Sequence, residues 1–262
     1  MKRFSKDGKF LVIFARAVDK KGVMRYTVVE RKRGKGMNRE EIFERVAQMK
    51  ASLSKGNPQG EKVTLVAATK TQTAEVINMA IEAGVDAVAE NKPQEFRDKH
   101  ELLLPCPRHF IGHLQTNKVK YLVGKIELFH SLDRDELAVE LAKQSQNRGV
   151  ISNVLIQINI GDEATKGGYA FDTAKETFSR LNAVEGLRVK GFMAMLPESD
   201  DEHLLRALTR KMRSLFEWAK TQSGEVEYLS MGMSGDYALC VQEGSNMVRV
   251  GSTIFGAREY TK

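Results

Sequence analysis

Val63-Thr64-Leu65-Val66-Ala67-Ala68-Thr69-Lys70-Thr71, with the segment 73–83 after it and Gly84 closing that segment, makes one strand–helix unit. The run 63–68 is short, apolar and free of Gly and Pro, as a strand covered on both faces must be. The stretch that follows has helical spacing, and a glycine just past its end is a stop signal. The unit then repeats. Asp86-Ala87-Val88-Ala89 precedes a helix opening at Pro93, a residue suited to the first helical position. Further strands are predicted at 108–112, 126–131, 153–160, 188–195, 228–233 and 247–251. Helical segments are predicted at 117–123, 133–147, 171–184, 202–221 and 236–242, and another, 38–55, precedes the first strand. Eight strands alternating with helices imply a parallel sheet. Units of about 28 residues match a (β/α)8 TIM barrel. An open doubly wound sheet is the alternative, but no Gly-x-Gly-x-x-Gly follows the first strand.

Length allows one large domain or two small ones. The chain has 262 residues, 42% hydrophobic and 29% charged, enough to bury a substantial core. No run of apolar residues is long enough for a membrane span. Two cysteines, Cys106 and Cys240, speak against a disulfide framework and a Cys-based zinc site, and point to a reducing, cytoplasmic compartment. The formal net charge of +7 suggests nucleic acid until its distribution is read. Residues 1–36 hold 12 Lys/Arg and 3 Asp/Glu, whereas the remainder carries 29 and 31. The basic character therefore belongs to an N-terminal extension, and nucleic acid is not expected as a partner of the body. Domains are set at 1–36 and 37–262. The extension has two apolar runs around Asp19-Lys20-Lys21-Gly22, compatible with a small β-hairpin or with disorder, then a linker-like basic stretch at 31–36. A mitochondrial transit peptide or an RNA-touching arm are competing readings of it.

In a parallel barrel the C-terminal ends of the strands form the active face, and alternate residues point into the lumen. Lys70 shares parity with Val66 and Ala68 and so hangs into the mouth. A lysine in a partly desolvated site is a candidate for attack on an aldehyde to give a Schiff base; the plain alternative is a surface lysine after a strand. In Met247-Val248-Arg249-Val250-Gly251 the valines share the helix-facing side, so Arg249 points inward. A buried guanidinium needs an acceptor, either a ligand atom or a barrel carboxylate such as Glu90. Gly251, Ser252 and Thr253, together with Ser234 in the preceding strand's loop, are small or hydroxyl-bearing residues at adjacent strand ends, the usual phosphate site of these barrels. An amine, a guanidinium and a phosphate cup together match pyridoxal 5′-phosphate (PLP). Asn91 reads as a ring contact or as the cap of the next helix. His109 and His113 make a conceivable metal pair, but no third ligand is spaced to complete it, so no metal is expected. Gln157 and Asn159 share a strand face and are candidates for a polar lumen. Met193, Met195, Met231 and Met233 read as core.

These segments resemble the pyridoxal phosphate homeostasis proteins, which look like the isolated N-terminal barrel of alanine racemase. The resemblance is carried by Ala68-Thr69-Lys70, Glu90-Asn91, His109-Phe110-Ile111-Gly112-His113-Leu114-Gln115-Thr116-Asn117-Lys118, Thr165-Lys166-Gly167-Gly168, Leu229-Ser230-Met231-Gly232-Met233-Ser234-Gly235-Asp236 and the run from Met247 to Arg258. It implies a PLP-binding (β/α)8 barrel of the alanine racemase N-terminal type with Lys70 as the Schiff-base lysine. It also implies Arg249 beside the pyridine nitrogen, and Ser234, Gly251, Ser252 and Thr253 around the phosphate. Where the family commonly carries Gly-Glu-Asn-Tyr, this chain has Ala89-Glu90-Asn91-Lys92, so an aromatic neighbour of the ring is not expected and the role of Asn91 is less well marked.

The function expected is that of a protein holding PLP and taking part in intracellular PLP (vitamin B6) homeostasis, with PLP-dependent apoenzymes as recipients. It is expected to be a monomer without efficient catalysis. A PLP-dependent racemase or decarboxylase is the second reading; racemisation of this type needs a second base, which alanine racemase takes from a further domain. A cofactor-free Schiff-base aldolase acting on a phosphorylated sugar is the third. Colour separates the readings, because a protein with covalently held PLP is yellow.

Overall fold

The computed structural model describes residues 11–18, 24–30, 38–163 and 166–256. The turn at 19–22, the linker at 31–36, Thr165, Ala257 and Arg258 lie outside the described residues. The chain divides into two units, Met1–Asn38 and Arg39–Lys262. In the first, the backbone strands Leu11–Val18 and Met24–Glu30 pair antiparallel, from Leu11 opposite Glu30 to Val18 opposite Met24.

The barrel of the second unit is closed by eight parallel strands: β1 (Thr64–Ala68), β2 (Ala87–Glu90), β3 (Arg108–Phe110), β4 (Leu128–Leu132), β5 (Ser152–Asn159), β6 (Leu187–Ala194), β7 (Tyr228–Ser230) and β8 (Met247–Val250). Each pairs with its neighbour in sequence, and β8 pairs with β1 from Met247 opposite Thr64 to Val250 opposite Ala67, which closes the barrel. Around it lie α1 (Arg39–Leu53), α2 (Ala74–Glu82), α3 (Pro93–Lys99), α4 (Asp135–Asn147), α5 (Ala174–Asn182), α6 (Glu202–Gln222), α7 (Tyr237–Gln242) and α8 (Ser252–Phe255). Local signals explain several starts. Thr73 caps α2 by accepting from the Val76 N–H, Asp201 caps α6 by accepting from the Leu204 N–H, and α3 opens on Pro93.

Strand parity divides the core in two. Val66, Ala87, Ala89, Leu128, Leu155, Met193 and Met247 fill the lumen. Phe110, Phe129, Val154, Phe192 and Leu229 face outward and pack against the helices. Each fully buried side chain of this size stabilises the fold by about 1.5–3 kcal/mol.

The differences from the sequence reading have local causes. The segment expected as a helix at 117–123 is a 3₁₀ helix, Thr116–Tyr121, followed by further tight bonds such as Leu122 N–H to Val119 O and Lys125 N–H to Leu122 O. β7 stops at Ser230 instead of 233 because Gly232 turns the chain at φ 100°. A two-residue strand not anticipated, Tyr169–Ala170, pairs parallel with the C-terminal end of β5, at Ile158 and Asn159. No helix among the described residues is long and apolar enough to cross a membrane.

Candidate functional site

At the C-terminal ends of the strands the chain encloses a cavity of about 640 Å³, within the range for a small cofactor. Six of the residues named from the sequence line it: Lys70, Asn91, Ser234, Arg249, Gly251 and Ser252. Thr253 does not line the cavity. Its backbone N–H donates to Ser234 Oγ at 3.4 Å, beside the Gly251 N–H at 3.3 Å. Two backbone donors and two hydroxyls thus gather at one wall, a donor-rich surface suited to an anion. Ala68, under Lys70, lines the same cavity, as the parity of β1 requires.

Arg249 is buried, and its partners are neutral. Nη1 donates to Ser230 O at 2.7 Å and to Ser230 Oγ at 2.6 Å, and Nη2 donates to Ala194 O at 3.2 Å. Burial pulls its pKa down to about 10, so it remains a cation at neutral pH. The ion pair with Glu90 considered from the sequence is not formed. Glu90 sits on the opposite face of β2 from the lumen residues Ala87 and Ala89, and takes bonds from the Thr69 hydroxyl and Lys99 Nζ.

Ser230 continues a polar chain that the sequence reading missed. Its Oγ lies 3.1 Å from His130 Nδ1, and His130 Nε2 lies 3.0 Å from His109 Nδ1. Burial lowers the pKa of His109 to about 4 and that of His130 well below its ordinary value, so both are neutral at pH 7. One proton arrangement satisfies the chain: Ser230 accepts from Arg249 and donates to His130 Nδ1, and His130 donates from Nε2 to His109. The strand pattern carried a signal for this. His130 shares parity with Leu128, and Ser230 with Tyr228, both on the lumen side.

Other expectations change. His109 and His113 are not brought together, since His109 turns inward while His113 Nδ1 meets Asp133 Oδ2 at 2.9 Å. Among the described residues no three metal-ligating side chains gather. Asn91 does not cap α3, whose cap position is Lys92; its buried Oδ1 has no hydrogen-bond partner. Gln157 and Asn159 hold the loop after β5, donating to Gly167 O and to Glu163 O and Lys166 O. Met193 and Met231 are core, but Met195 and Met233 line the cavity. Gly112 follows β3 where the chain presses on the end of β2: a Cβ there would stand 2.0 Å from Asn91 O. Burial raises Cys106 to about 11 and Cys240 to about 12, so neither supplies a thiolate at neutral pH.

Fold and site together define a (β/α)8 barrel with a lysine, a buried arginine and a donor-rich wall around one cofactor-sized cavity. Residues 21–259 match the family model of the alanine racemase N-terminal domain. The chain is 41% identical over 199 residues to the pyridoxal phosphate homeostasis protein of Aquifex aeolicus (strain VF5), covering 75% of this chain and 87% of that protein. It is 38% identical over 208 residues to the protein of the same name from Escherichia coli (strain K12), covering 77% and 88%. Among solved structures, PipY of Synechococcus elongatus PCC7942 with PLP bound superposes with a TM-score of 0.71 at 28% identity, over 82% of this chain and 100% of that one. The chain belongs to the pyridoxal phosphate homeostasis protein family.

Proposed function

We propose that the protein binds pyridoxal 5′-phosphate, covalently through Lys70, and takes part in intracellular PLP homeostasis. The observation that carries this is the convergence of Lys70, Arg249 and Ser234 on one cavity, from three different strand ends. The residues fit the cofactor. The buried, partnerless Asn91 Oδ1 leaves an acceptor at the wall, and the Gly251 and Thr253 N–H groups share the single Ser234 oxygen, over long bonds that a phosphate would replace with stronger ones.

When bound, PLP supplies an aldehyde that condenses with primary amines and a ring that draws electron density from the adjoining carbon. Lys70 provides the amine. Arg249 donates to the ring nitrogen and, staying protonated, keeps that nitrogen from gaining a proton of its own. An unprotonated ring withdraws electrons weakly, which suits retention of the cofactor over turnover of amino acids. Ser234, Gly251 and Ser252 would hold the phosphate, with the Thr253 N–H behind Ser234, and Asn91 would border the ring. The protein acts as a monomeric carrier that hands PLP to apoenzymes in a reducing, cytoplasmic compartment, a setting that suits its two free cysteines.

The test is borohydride reduction of the protein after exposure to PLP, then peptide mass spectrometry. A pyridoxyl group is expected on Lys70, and Lys70→Ala abolishes it while weak phosphate-directed binding persists. Undiminished modification in Lys70→Ala would remove Lys70 from this role. Residues 1–36 are an appendage to the binding barrel in this reading. Their deletion is expected to leave covalent attachment unchanged, and loss of folding on truncation would make them part of the barrel.

A further inference from the structure

The backbone on both sides of Lys70 is held from outside the lumen. On one side, the Thr69 N–H donates to Ala89 O at 2.9 Å, and the Thr69 hydroxyl donates to Glu90 Oε1 at 2.8 Å. On the other, the Thr71 N–H donates to Glu95 Oε2 at 2.8 Å. Lys99 joins the two carboxylates, with Nζ 3.1 Å from Glu90 Oε1 and 2.8 Å from Glu95 Oε2. Glu90 and Lys99 are 5% and 16% exposed, so solvent screens this pairing poorly.

What the arrangement holds is unusual. Thr71 has φ 68°, in the left-handed region that a β-branched residue rarely adopts. Such a conformation persists only where the surroundings impose it, and it collects at functional sites. Here the residue lies directly after the lysine that faces the cavity. We propose that Glu90, Lys99 and Glu95 form a clamp whose task is to hold the turn at Thr71 and thereby set the position of the Lys70 amine; this rests on Lys70 being the cofactor lysine. The three are positioning residues and touch no cofactor. Burial pushes Glu95 up, but the Lys99 and Thr71 bonds outweigh it and hold its pKa below the ordinary value, so the carboxylate is charged at neutral pH.

A merely structural part, pinning α3 against the sheet, would give the same contacts, so the test turns on rescue. Glycine adopts a positive φ without steric cost. In the apo protein, Glu95→Ala is expected to speed exchange of the Thr71 amide hydrogen by about tenfold. At sub-saturating PLP the same variant is expected to lower borohydride-fixed attachment at Lys70 about tenfold, equivalent to about 1.4 kcal/mol. Adding Thr71→Gly to Glu95→Ala is expected to restore attachment to within roughly twofold of wild type. Glu95→Leu, which keeps much of the side chain's bulk and removes both acceptor oxygens, stands in if Glu95→Ala fails to fold. The proposal is overturned if Glu95→Ala exchanges and attaches like wild type, or if Thr71→Gly brings no recovery. Absence of pyridoxyl on Lys70 in the wild type would instead sink the cofactor assignment, and amide exchange at Thr71 would then decide the clamp alone.

Discussion

At the foot of the barrel Arg213 meets carboxylates: Nη1 donates to Glu61 Oε2 at 2.6 Å and to Gly244 O at 2.8 Å, and Nη2 donates to Glu61 and to Glu217. Asn57 and Lys220 add bonds to the same Glu61. At the mouth Arg249, equally sequestered, meets two carbonyls and a hydroxyl, and Asn91 keeps a buried oxygen with no partner. The first arrangement joins the segment before β1 to α6 and to the turn before β8, and so ties the closure of the barrel. The second leaves a cation and an acceptor with capacity for something else. Two buried arginines in one barrel thus differ in their partners: one is met by carboxylates that tie the fold, and the other, with neutral partners only, is the one the proposed function gives to a ligand.

Breaking the foot should have the largest effect on stability. Arg213→Ala is expected to cost about 3 kcal/mol in urea unfolding, because it strips a buried charge network of its centre, with covalent PLP attachment to the folded protein unchanged. Acid should act on the same tie. Burial raises the Glu61 carboxyl, but its bonds from Arg213, Asn57 and Lys220 outweigh this and hold it at about 2, against an ordinary 4.5. The depressed value adds stability in full above about pH 4.5, and that stability is lost as pH falls through the folded value near 2. Glu61→Gln should lose about 2 kcal/mol at neutral pH and flatten this limb of the pH–stability curve. A curve as steep in Glu61→Gln as in wild type would place the acid-sensitive group elsewhere. The mouth should give the smallest change. Arg249→Met is expected to weaken PLP binding about tenfold by equilibrium titration, or about 1.4 kcal/mol, and to move apo stability by less than that. A large loss of apo stability in this variant would erase the contrast between the two ends.

The barrel was legible in the sequence because its signal repeats: eight short apolar runs, each followed by a helical stretch, outweigh any single misplaced boundary. Lys70 and Arg249 were legible for a different reason. Parity along β1 and β8 fixes which way each points, and an inward charge stands out against alanines and valines. Ser234 and Gly251 followed from their place at adjacent strand ends. Parity also marked His130 and Ser230, but a serine and a histidine draw little notice until Arg249 is seen to donate to Ser230, and Ser230 to meet His130. The left-handed turn at Thr71 had no signal at all. Nothing in Lys70-Thr71-Gln72 departs from an ordinary loop, and the carboxylate that satisfies its N–H comes from 24 residues further along. The alternative of a Glu90 partner for Arg249 fails on the face of β2: Glu90 points away from the lumen residues Ala87 and Ala89.

The hydrogen that stands for a side chain at Gly112 works as a calibre. With Asn91 O only 2.0 Å from where a Cβ would sit, one methyl group there would wedge the exits of β2 and β3 apart. Alanine at 112 would therefore have to be met by a shift of the backbone at Asn91, a residue of the cavity wall.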